Sequence, residues 1–355
     1  MSIDQLARPE IARLQAYVTA EQQPDTVRLN ANEAPYSPTL ENSELNRYPQ
    51  IRPDAIIERL AGLYGVTMEH VMVTRGSSEA IDILIRSFCR AYTDNIVTTT
   101  PSFAMYRVYA EMQAAEIVQV PLSLERDFAL DTEKLLAACT DNSKLIFLCS
   151  PNNPSGDLLN NDSILQIAKA RAGRSVVVVD EAYIEFSERP SLLSALNDYD
   201  NLIILRTLSK AYGLAGLRCG SIIAPTATIR LLSAMLPPYA FSSPTTERVL
   251  DALASESIAA ANALVATTIE ERERVRAELE TLNSVVKVWP SQSNFLLVRF
   301  RDLAAANQAL SKVKVLIRSF ANDELLNNCA RITIGAAAEN DLLIKTLKTL
   351  TESET

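Results

Sequence analysis

Apolar residues along this chain form short consecutive runs instead of alternating with polar residues. Four runs have the length of a strand, at 71–73, 145–148, 176–179 and 202–205. Strands covered on both faces are apolar at consecutive positions, so these runs indicate fully buried strands. Helix-like segments such as 78–88 and 162–170 lie between them. Alternating strands and helices predict an α/β fold with a large domain built on a mostly parallel central sheet.

The pattern changes after a double proline, Pro237-Pro238. Proline does not fit the interior of a helix, so a break is expected there. Residues 247–282 then read as one long helix, followed by strand-like runs at 295–300 and 331–334. We predict an N-terminal arm that contributes to the small domain, a large domain and a small C-terminal α+β domain, with bounds 1–40, 41–245 and 246–355.

A polar or glycine-containing cluster follows each of the four buried runs. The clusters lie at 74–79, 150–156, 180–183 and 206–210. In open α/β sheets, ligands bind beyond the carboxyl ends of the strands, so the four clusters outline a single site. Six of the nine glycines lie in or beside these clusters or the C-terminal 331–335 segment, where the backbone can approach a ligand closely. They are Gly76, Gly156, Gly213, Gly216, Gly220 and Gly335.

Composition and charge narrow the classes of function. The 355 residues are 48% hydrophobic and 22% charged, as in an ordinary globular protein. The formal charge of −9 argues against a nucleic-acid partner, since phosphate backbones are held by clustered Lys and Arg. The one histidine, His70, leaves no His-based catalytic triad and no His-rich metal site, so we expect no metal.

Location is expected to be cytoplasmic. The N-terminus lacks the apolar run of a secretory signal, and no stretch approaches the roughly 20 apolar residues of a membrane helix. The five cysteines are widely spaced without a C-x-x-C motif. Such cysteines are typical of buried, reduced thiols in a reducing compartment.

Lys210 carries the first chemical signal, in Thr207-Leu208-Ser209-Lys210. A loop lysine is ordinarily solvated, but the segments flanking this one are largely apolar. Burial disfavours the ammonium form and lowers the pKa, which makes a free amine nucleophilic enough to form an imine. The hydroxyls of Thr207 and Ser209 and the guanidinium of Arg218 suit a phosphate.

Asp180 and Tyr183 follow a neighbouring strand. A buried carboxylate is costly without a partner, and a cationic heterocycle is one partner that offsets the cost. Pyridoxal 5'-phosphate (PLP) needs an acid at its pyridine nitrogen, which keeps the ring protonated and makes it an electron sink. Tyr183 can reach the cofactor's phenolate oxygen. The alternative, Asp180 as a helix N-cap, is common but leaves Tyr183 without a role.

Two further clusters suit the same cofactor. The amide of Asn153 can donate to the phenolate oxygen, although a plain turn explains its Pro/Asn/Gly segment as well. Gly76-Ser77-Ser78 follows a strand and opens a helix, whose free N–H groups and dipole suit a phosphate. Simple capping by serine explains this segment equally well on its own.

These motifs together resemble the fold-type I, PLP-dependent aminotransferases over nearly the whole chain. Within that superfamily the chain is similar to the histidinol-phosphate aminotransferases. The segments that carry this closer resemblance are Leu29-Asn30-Ala31-Asn32-Glu33, Asn46-Arg47-Tyr48-Pro49, Cys149 to Gly156, Asp180-Glu181-Ala182-Tyr183-Ile184-Glu185-Phe186, Arg206 to Gly220, and Arg331-Ile332-Thr333-Ile334-Gly335.

The resemblance implies a role for each matching residue. Lys210 would carry PLP as a Schiff base, Asp180 would pair with the pyridine nitrogen, and Phe103 would stack on the ring. Tyr183 and Asn153 would bond the phenolate oxygen. The phosphate would be held by Ser77, Ser78, Thr207, Ser209 and Arg218, with Tyr48 reaching it from the neighbouring subunit of a homodimer; the acidic group of the substrate would be bound by Arg331, with Tyr17, Asn32 and Arg318 nearby.

The resemblance also implies a reaction, the transfer of an amino group from L-histidinol phosphate to 2-oxoglutarate in histidine biosynthesis. The products would be imidazole-acetol phosphate and glutamate. Two other functions are compatible with the same fold: that of an aromatic aminotransferase and that of a threonine-phosphate decarboxylase. A PLP-binding regulator without catalysis is a more remote alternative, because it predicts a basic DNA-binding module that this chain has neither the length nor the charge to include.

Overall fold

The computed structural model describes residues 3–17, 22, 26–38, 44–320 and 324–352. The helices are α1 Pro9–Ala12, α2 Asp54–Tyr64, α3 Ser77–Phe88, α4 Met105–Met112, α5 Thr132–Ala138, α6 Asn161–Ala170, α7 Thr226–Ser233, α8 Ser243–Ala252, α9 Ser255–Glu280, α10 Leu303–Lys312 and α11 Ala337–Glu352. The strands are β1 Val71–Thr74, β2 Asn95–Thr100, β3 Glu116–Pro121, β4 Ser143–Cys149, β5 Val176–Asp180, β6 Leu202–Thr207, β7 Gly220–Ile223, β8 Val285–Val288, β9 Phe295–Phe300, β10 Arg318–Ser319 and β11 Cys329–Thr333.

The larger sheet has seven strands in the order β1-β7-β6-β5-β4-β2-β3. Strands β3, β2, β4, β5 and β6 are parallel, whereas β7 runs antiparallel to both of its neighbours. The predicted α/β class with a mostly parallel central sheet is confirmed. Each of the four predicted buried runs lies inside one of these strands.

Both faces of the larger sheet are covered, as the consecutive apolar runs predict. Phe147 and Val178 point into the core on one face, and Ile146 and Val177 point into the core on the other. All four are fully buried. A side chain of this kind contributes about 1.5–3 kcal/mol when it leaves water, so the centre of the sheet is a rigid support for the loops at its carboxyl edge.

The smaller sheet is antiparallel throughout, in the order β10-β11-β9-β8. Its core joins α9, α10 and α11 to the strands through residues such as Val275, Leu296 and Leu347. The predicted run 295–300 is strand β9, and the predicted run 331–334 overlaps β11, which ends at Thr333. The domain bounds at 40/41 and 245/246 stay a prediction.

The single long helix predicted at 247–282 is wrong. The chain forms α8 and α9 there, with a bend of 67° between them. The two helices pack on different cores: Val249 and Leu253 lie against the larger domain, whereas Val275 and Leu279 lie in the small-sheet core. Ala254 at the junction has extended backbone, φ −66° and ψ 149°, which lets the chain change direction.

Within the described ranges, length and composition rule out every single helix as a membrane span, and only the bent α8–α9 pair would qualify by those two criteria. The five cysteines form no disulfide bond with one another. Cys139 is half-buried and the other four are buried.

Candidate active site

The carboxyl ends of β4, β5 and β6 lie side by side, because these strands are parallel neighbours in register. Helix α3 starts directly after β1 at the same edge. The loops that follow these strands enclose a cavity of about 220 Å³. Its lining residues are Ser77, Ser78, Phe103, Cys149, Asn153, Asp180, Ala182, Tyr183, Thr207, Ser209, Lys210, Ala215, Arg218 and Arg331.

Asp180, the last residue of β5, brings a carboxylate to the floor of this cavity with only 2% of its surface exposed. Its Oδ2 accepts a hydrogen bond from the Tyr106 hydroxyl at 2.8 Å, and its Oδ1 accepts from the backbone N–H of Ala182 at 3.1 Å. Burial raises the pKa of Asp180, while these two hydrogen bonds and the charge of Lys210 oppose that rise. A cation placed against this carboxylate would stabilise its charged form.

Lys210 opens onto the same cavity, with its Nζ 5.5 Å from the centre of the Tyr183 ring. The surrounding protein lowers the pKa of Lys210, first by desolvation and then through the positive charges of Arg331 and Arg218. Asp180 acts in the opposite direction. The lysine therefore holds a larger fraction of neutral, nucleophilic amine than a solvated lysine does.

Tyr183, Asn153 and Arg331 form a polar chain along one wall. The Asn153 side-chain NH2 donates to the Tyr183 hydroxyl at 3.2 Å, and Arg331 donates to Asn153 Oδ1 at 2.5 Å. Phe295 of the small domain packs edge-on against Tyr183 and also lies under the Arg331 guanidinium, 5.3 Å away. The small sheet thus fixes groups that face the cavity of the larger domain.

The other end of the cavity collects hydrogen-bond donors. Arg218 donates to Ser209 Oγ at 3.5 Å, and the Thr207 hydroxyl donates to the same oxygen at 3.0 Å. A Cβ added to Gly76 would lie 2.6 Å from Arg218 Nη2, so the guanidinium sits directly against the start of α3. Hydroxyls, a guanidinium and the N-terminus of a 12-residue helix make a site suited to a phosphate.

A network of buried ion pairs stabilises the loop that follows β5. Arg206 of β6 donates to Glu185 at 2.8 Å and lies 3.5 Å from Glu181. Glu181 also accepts from the Ser191 hydroxyl at 2.5 Å and from the backbone of Leu192 at 2.9 Å. Because Glu181 adjoins Asp180 and Arg206 adjoins Thr207, this network ties together the two strand ends that carry the predicted chemistry.

Four predicted residues do not line the cavity of this chain: Tyr17, Asn32, Tyr48 and Arg318. Tyr17 is 73% exposed, and Tyr48 is 49% exposed and stacks on Tyr239 at 4.6 Å. Arg318 is exposed on β10, directly opposite Arg331 of β11. The roles predicted for all of the site residues stay predictions.

The structure adds residues that the sequence interpretation missed. Tyr106 reaches Asp180 from α4, and Cys149 lines the cavity at the end of β4. A tyrosine within an amphipathic helix reads as ordinary core, so the pattern alone gives it no distinction. The signal that could have found Tyr106 is its position three residues after the predicted ring-stacking Phe103, whose ring it meets edge-on at 5.6 Å.

Comparison with known proteins identifies the family of the chain. The family model described as "Aminotransferase class I and II" matches residues 13–347. Several curated histidinol-phosphate aminotransferases are similar to this chain, and one from Idiomarina loihiensis is 41% identical over 98% of both chains.

Solved structures share the architecture. A histidinol-phosphate aminotransferase from Sinorhizobium meliloti, in complex with pyridoxal-5'-phosphate, matches with a TM-score of 0.75 and 25% identity, covering 87% of this chain and 84% of that one. An L-threonine-O-3-phosphate decarboxylase from Porphyromonas gingivalis matches with a TM-score of 0.73 and 26% identity over 87% and 91%. The family model spans more than nine-tenths of the sequence, and this chain belongs to the class I and II aminotransferase family.

Proposed function

We propose that this protein is an aminotransferase that uses PLP to transfer the amino group of L-histidinol phosphate to 2-oxoglutarate, giving imidazole-acetol phosphate and glutamate. The observation that carries the proposal is that Lys210, Asp180 and a cluster of donors suited to a phosphate line one and the same cavity. The similarity to curated histidinol-phosphate aminotransferases over nearly the full chain supports the choice of substrate.

The residues present fit PLP at both ends. Asp180 is a buried carboxylate whose pKa is raised by desolvation, and a protonated pyridine nitrogen would supply the cation that such a group favours. At the other end, Gly76 leaves open the space that a Cβ would fill against Arg218. Ser77, Ser78, Thr207, Ser209 and Arg218 would hold the phosphate, and Phe103 would stack on the ring.

When bound, PLP supplies an electron sink that stabilises negative charge at the substrate Cα. Lys210 would bind the cofactor covalently and, once the substrate amine displaces it, move the proton at Cα as a free amine. Because the pKa of Lys210 is lowered, a larger fraction of this amine is unprotonated at a given pH and so able to accept a proton. Asp180 would hold the proton on the pyridine nitrogen, while Tyr183 and Asn153 bond the phenolate oxygen.

Two arginines of the small sheet would anchor the substrate's acidic group. Arg318 and Arg331 lie directly opposite each other on the antiparallel strands β10 and β11, so their side chains leave the same face. Like charges in this position repel, and an anionic phosphate or carboxylate between them would relieve the repulsion. We place Asn32 and Tyr17 beside this anchor, as the resemblance implies.

We also propose that the active unit is a homodimer in which Tyr48 reaches the neighbouring cofactor phosphate. Glu33 holds the backbone before this residue, because it accepts from the N–H of Tyr48 at 2.7 Å and pairs with Arg47 at 2.9 Å. Tyr48→Ala and Lys210→Ala chains, each inactive alone, should regain activity when mixed, because a hybrid dimer has one intact site. Failure to regain activity in a verified mixed dimer would contradict the shared site. The cytoplasmic location expected from the sequence stays a prediction, which cell fractionation tests.

A coupled assay tests the reaction itself. Purified protein is incubated with L-histidinol phosphate and 2-oxoglutarate, and glutamate is measured. Glutamate release should require both substrates and PLP. Release at the same rate with an aromatic amino acid in place of L-histidinol phosphate would favour the broad aromatic aminotransferase instead.

The likeness to a threonine-phosphate decarboxylase makes decarboxylation the second candidate, because the substrate of that enzyme is likewise a phosphate ester that carries an amino group. The same protein given L-threonine O-3-phosphate alone should release no carbon dioxide. Carbon dioxide release without any keto acid would favour the decarboxylase.

A further inference from the structure

Tyr106 occupies an unusual position for a core tyrosine. This side chain of α4 is fully buried. The centre of its ring lies 4.8 Å from that of Phe147, on which it stacks, and 5.6 Å from that of Phe103, which it meets edge-on. Phenylalanine would satisfy those ring contacts equally well. The hydroxyl, however, ends in a 2.8 Å hydrogen bond to Asp180 Oδ2.

This hydrogen bond has a fixed direction. Burial and the nearby charge of Asp180 hold the pKa of Tyr106 well above its usual range, so the phenol keeps its proton and acts as donor to the carboxylate. The remaining titratable groups facing Asp180 are Cys149, Tyr183 and Lys210, and the first two also have pKa values raised by burial. Of these four groups, Tyr106 is the one that donates a hydrogen bond directly to the Asp180 carboxylate.

The two partners of Asp180 fix the carboxylate from both sides. Ala182 N–H binds Oδ1 along the chain, and Tyr106 binds Oδ2 from the neighbouring helix. A carboxylate held at both oxygens cannot rotate without breaking a buried hydrogen bond. Donation to both oxygens also favours the charged form over the protonated form.

We propose that Tyr106 is a positioning residue for the cofactor ring: its hydroxyl holds Asp180 as an oriented anion facing the pyridine nitrogen. The inference rests on the proposed PLP function and adds a residue to it. Tyr106 acts through Asp180 and is not expected to touch the cofactor. Its edge contact with Phe103 also joins this support to the residue proposed to stack on the ring.

The test compares binding of PLP with binding of its 1-deaza analogue, in which a C–H replaces the ring nitrogen. Both ligands have the same phosphate and aldehyde, so the ratio of their dissociation constants isolates the contact between the nitrogen and Asp180. Cofactor-free wild type, Tyr106→Phe and Tyr109→Phe are titrated by absorbance. Tyr109 is the matched control, since it lies one turn along α4 and is only half-buried.

Wild type and Tyr109→Phe should prefer PLP equally. In Tyr106→Phe the preference should fall by about tenfold, the factor that corresponds to roughly 1.4 kcal/mol. An unchanged preference in Tyr106→Phe would overturn the inference while leaving the proposed function intact. A wild-type protein that does not bind PLP would overturn the proposed function and this inference together.

A second variant covers the case in which Tyr106→Phe does not fold. 4-Aminophenylalanine introduced at position 106 keeps the ring and an N–H donor, so it should retain the preference for PLP to within about threefold, a loss of less than roughly 1 kcal/mol. Loss of the preference in a folded variant that still carries a donor would contradict the proposed role.

Discussion

The pKa of Lys210 is lowered by its surroundings. After desolvation, the positive charge of Arg331 makes the largest contribution to that decrease. In Arg331→Gln the pKa of Lys210 should rise, because the variant removes a neighbouring positive charge. The rate at which cofactor-free protein captures PLP depends on neutral amine, so its pH profile should move to higher pH. Stopped-flow absorbance between pH 6 and 10 measures the profile.

Arg318→Gln is the control for this prediction, since Arg318 is not among the charges acting on Lys210. Both variants should raise KM for the anionic substrates, but only Arg331→Gln should move the profile. Equal profiles for wild type and Arg331→Gln would remove Arg331 from the control of Lys210.

The buried carboxyl group of Asp157 is expected to make the stability of the fold depend on pH. Its pKa is raised to about 6 from 3.8, chiefly by desolvation. A carboxyl whose pKa is higher in the folded state ionises more readily in the unfolded chain, so its contribution to stability is lost as the pH rises towards about 6. The rise corresponds to roughly 3 kcal/mol, which partial exposure reduces to an expected gain of about 1 kcal/mol for Asp157→Asn above that pH.

Thermal unfolding at pH 8 and pH 4 measures this effect. Asp157→Asn should raise Tm at pH 8, and the gain should shrink at pH 4, where wild-type Asp157 is largely protonated. Asp141→Asn, an exposed control, should change Tm little at either pH. A gain of equal size at both pH values would contradict the assignment to ionisation.

Strand β7 and helix α3 approach each other closely at the phosphate end of the cavity. A Cβ on Gly220 would lie 2.7 Å from the Gly76 carbonyl carbon and 2.7 Å from the Ser77 nitrogen. Gly220→Ala should therefore push the start of α3 away, at a cost of about 1–3 kcal/mol, and weaken PLP binding. Gly216→Ala is the control, because nothing lies within 4 Å of its added Cβ.

Unfolding in urea and PLP titration measure the two effects on Gly220→Ala. Both should differ from the Gly216→Ala control. Equal stability and equal PLP affinity in the two variants would show that α3 tolerates displacement at this point.

Strands with consecutive apolar residues were predictable, and strands with polar sequences were not. The runs at 145–148 and 176–179 lie inside β4 and β5, because burial on both faces requires apolar side chains throughout. Strand β2 escaped notice, since its Thr98 and Thr99 are buried yet read as polar positions. Whether such a threonine lies in a strand depends on the strands packed beside it, and the local sequence pattern does not show those neighbours.

The candidate site was predictable where residues cluster along the chain. Lys210, Asp180 and Asn153 stand at strand ends, so the parallel topology alone brings them together. Tyr106 was missed because its partner Asp180 is 74 residues away. Arg206 was named only as part of a strand-end cluster, since its pairing with Glu181 and Glu185 depends on how the loop after β5 folds back.

The small domain contacts the large domain through the loop between β8 and β9 and through α9. The backbone of Gln292 donates to the Gly156 carbonyl at 2.7 Å, and its side chain accepts from the Glu188 N–H at 2.9 Å. Arg272 of α9, 2% exposed, donates to the carbonyls of Phe186 and Ser293 at 3.3 and 3.0 Å. These bonds join the small domain to the loops that carry Asn153 and Tyr183.

Arg272→Met should lower the free energy of unfolding by about 3 kcal/mol, because it leaves buried carbonyls without their charged donor. Arg276→Met on the same helix removes only surface pairs with Glu273 and Glu280, so its effect should stay below about 1 kcal/mol. Urea unfolding compares the two variants. Equal losses would show that Arg272 contributes no more than a surface arginine does.

For the whole molecule, the central claim is that Lys210 binds the cofactor. The most direct test is the position of the pyridoxyl group after borohydride reduction of the PLP-loaded protein, located by mass spectrometry of its peptides. We expect one pyridoxyl group per chain, on Lys210, and no labelled peptide from Lys210→Ala. A pyridoxyl group on another lysine of the wild-type protein, with Lys210 unmodified, would contradict the account.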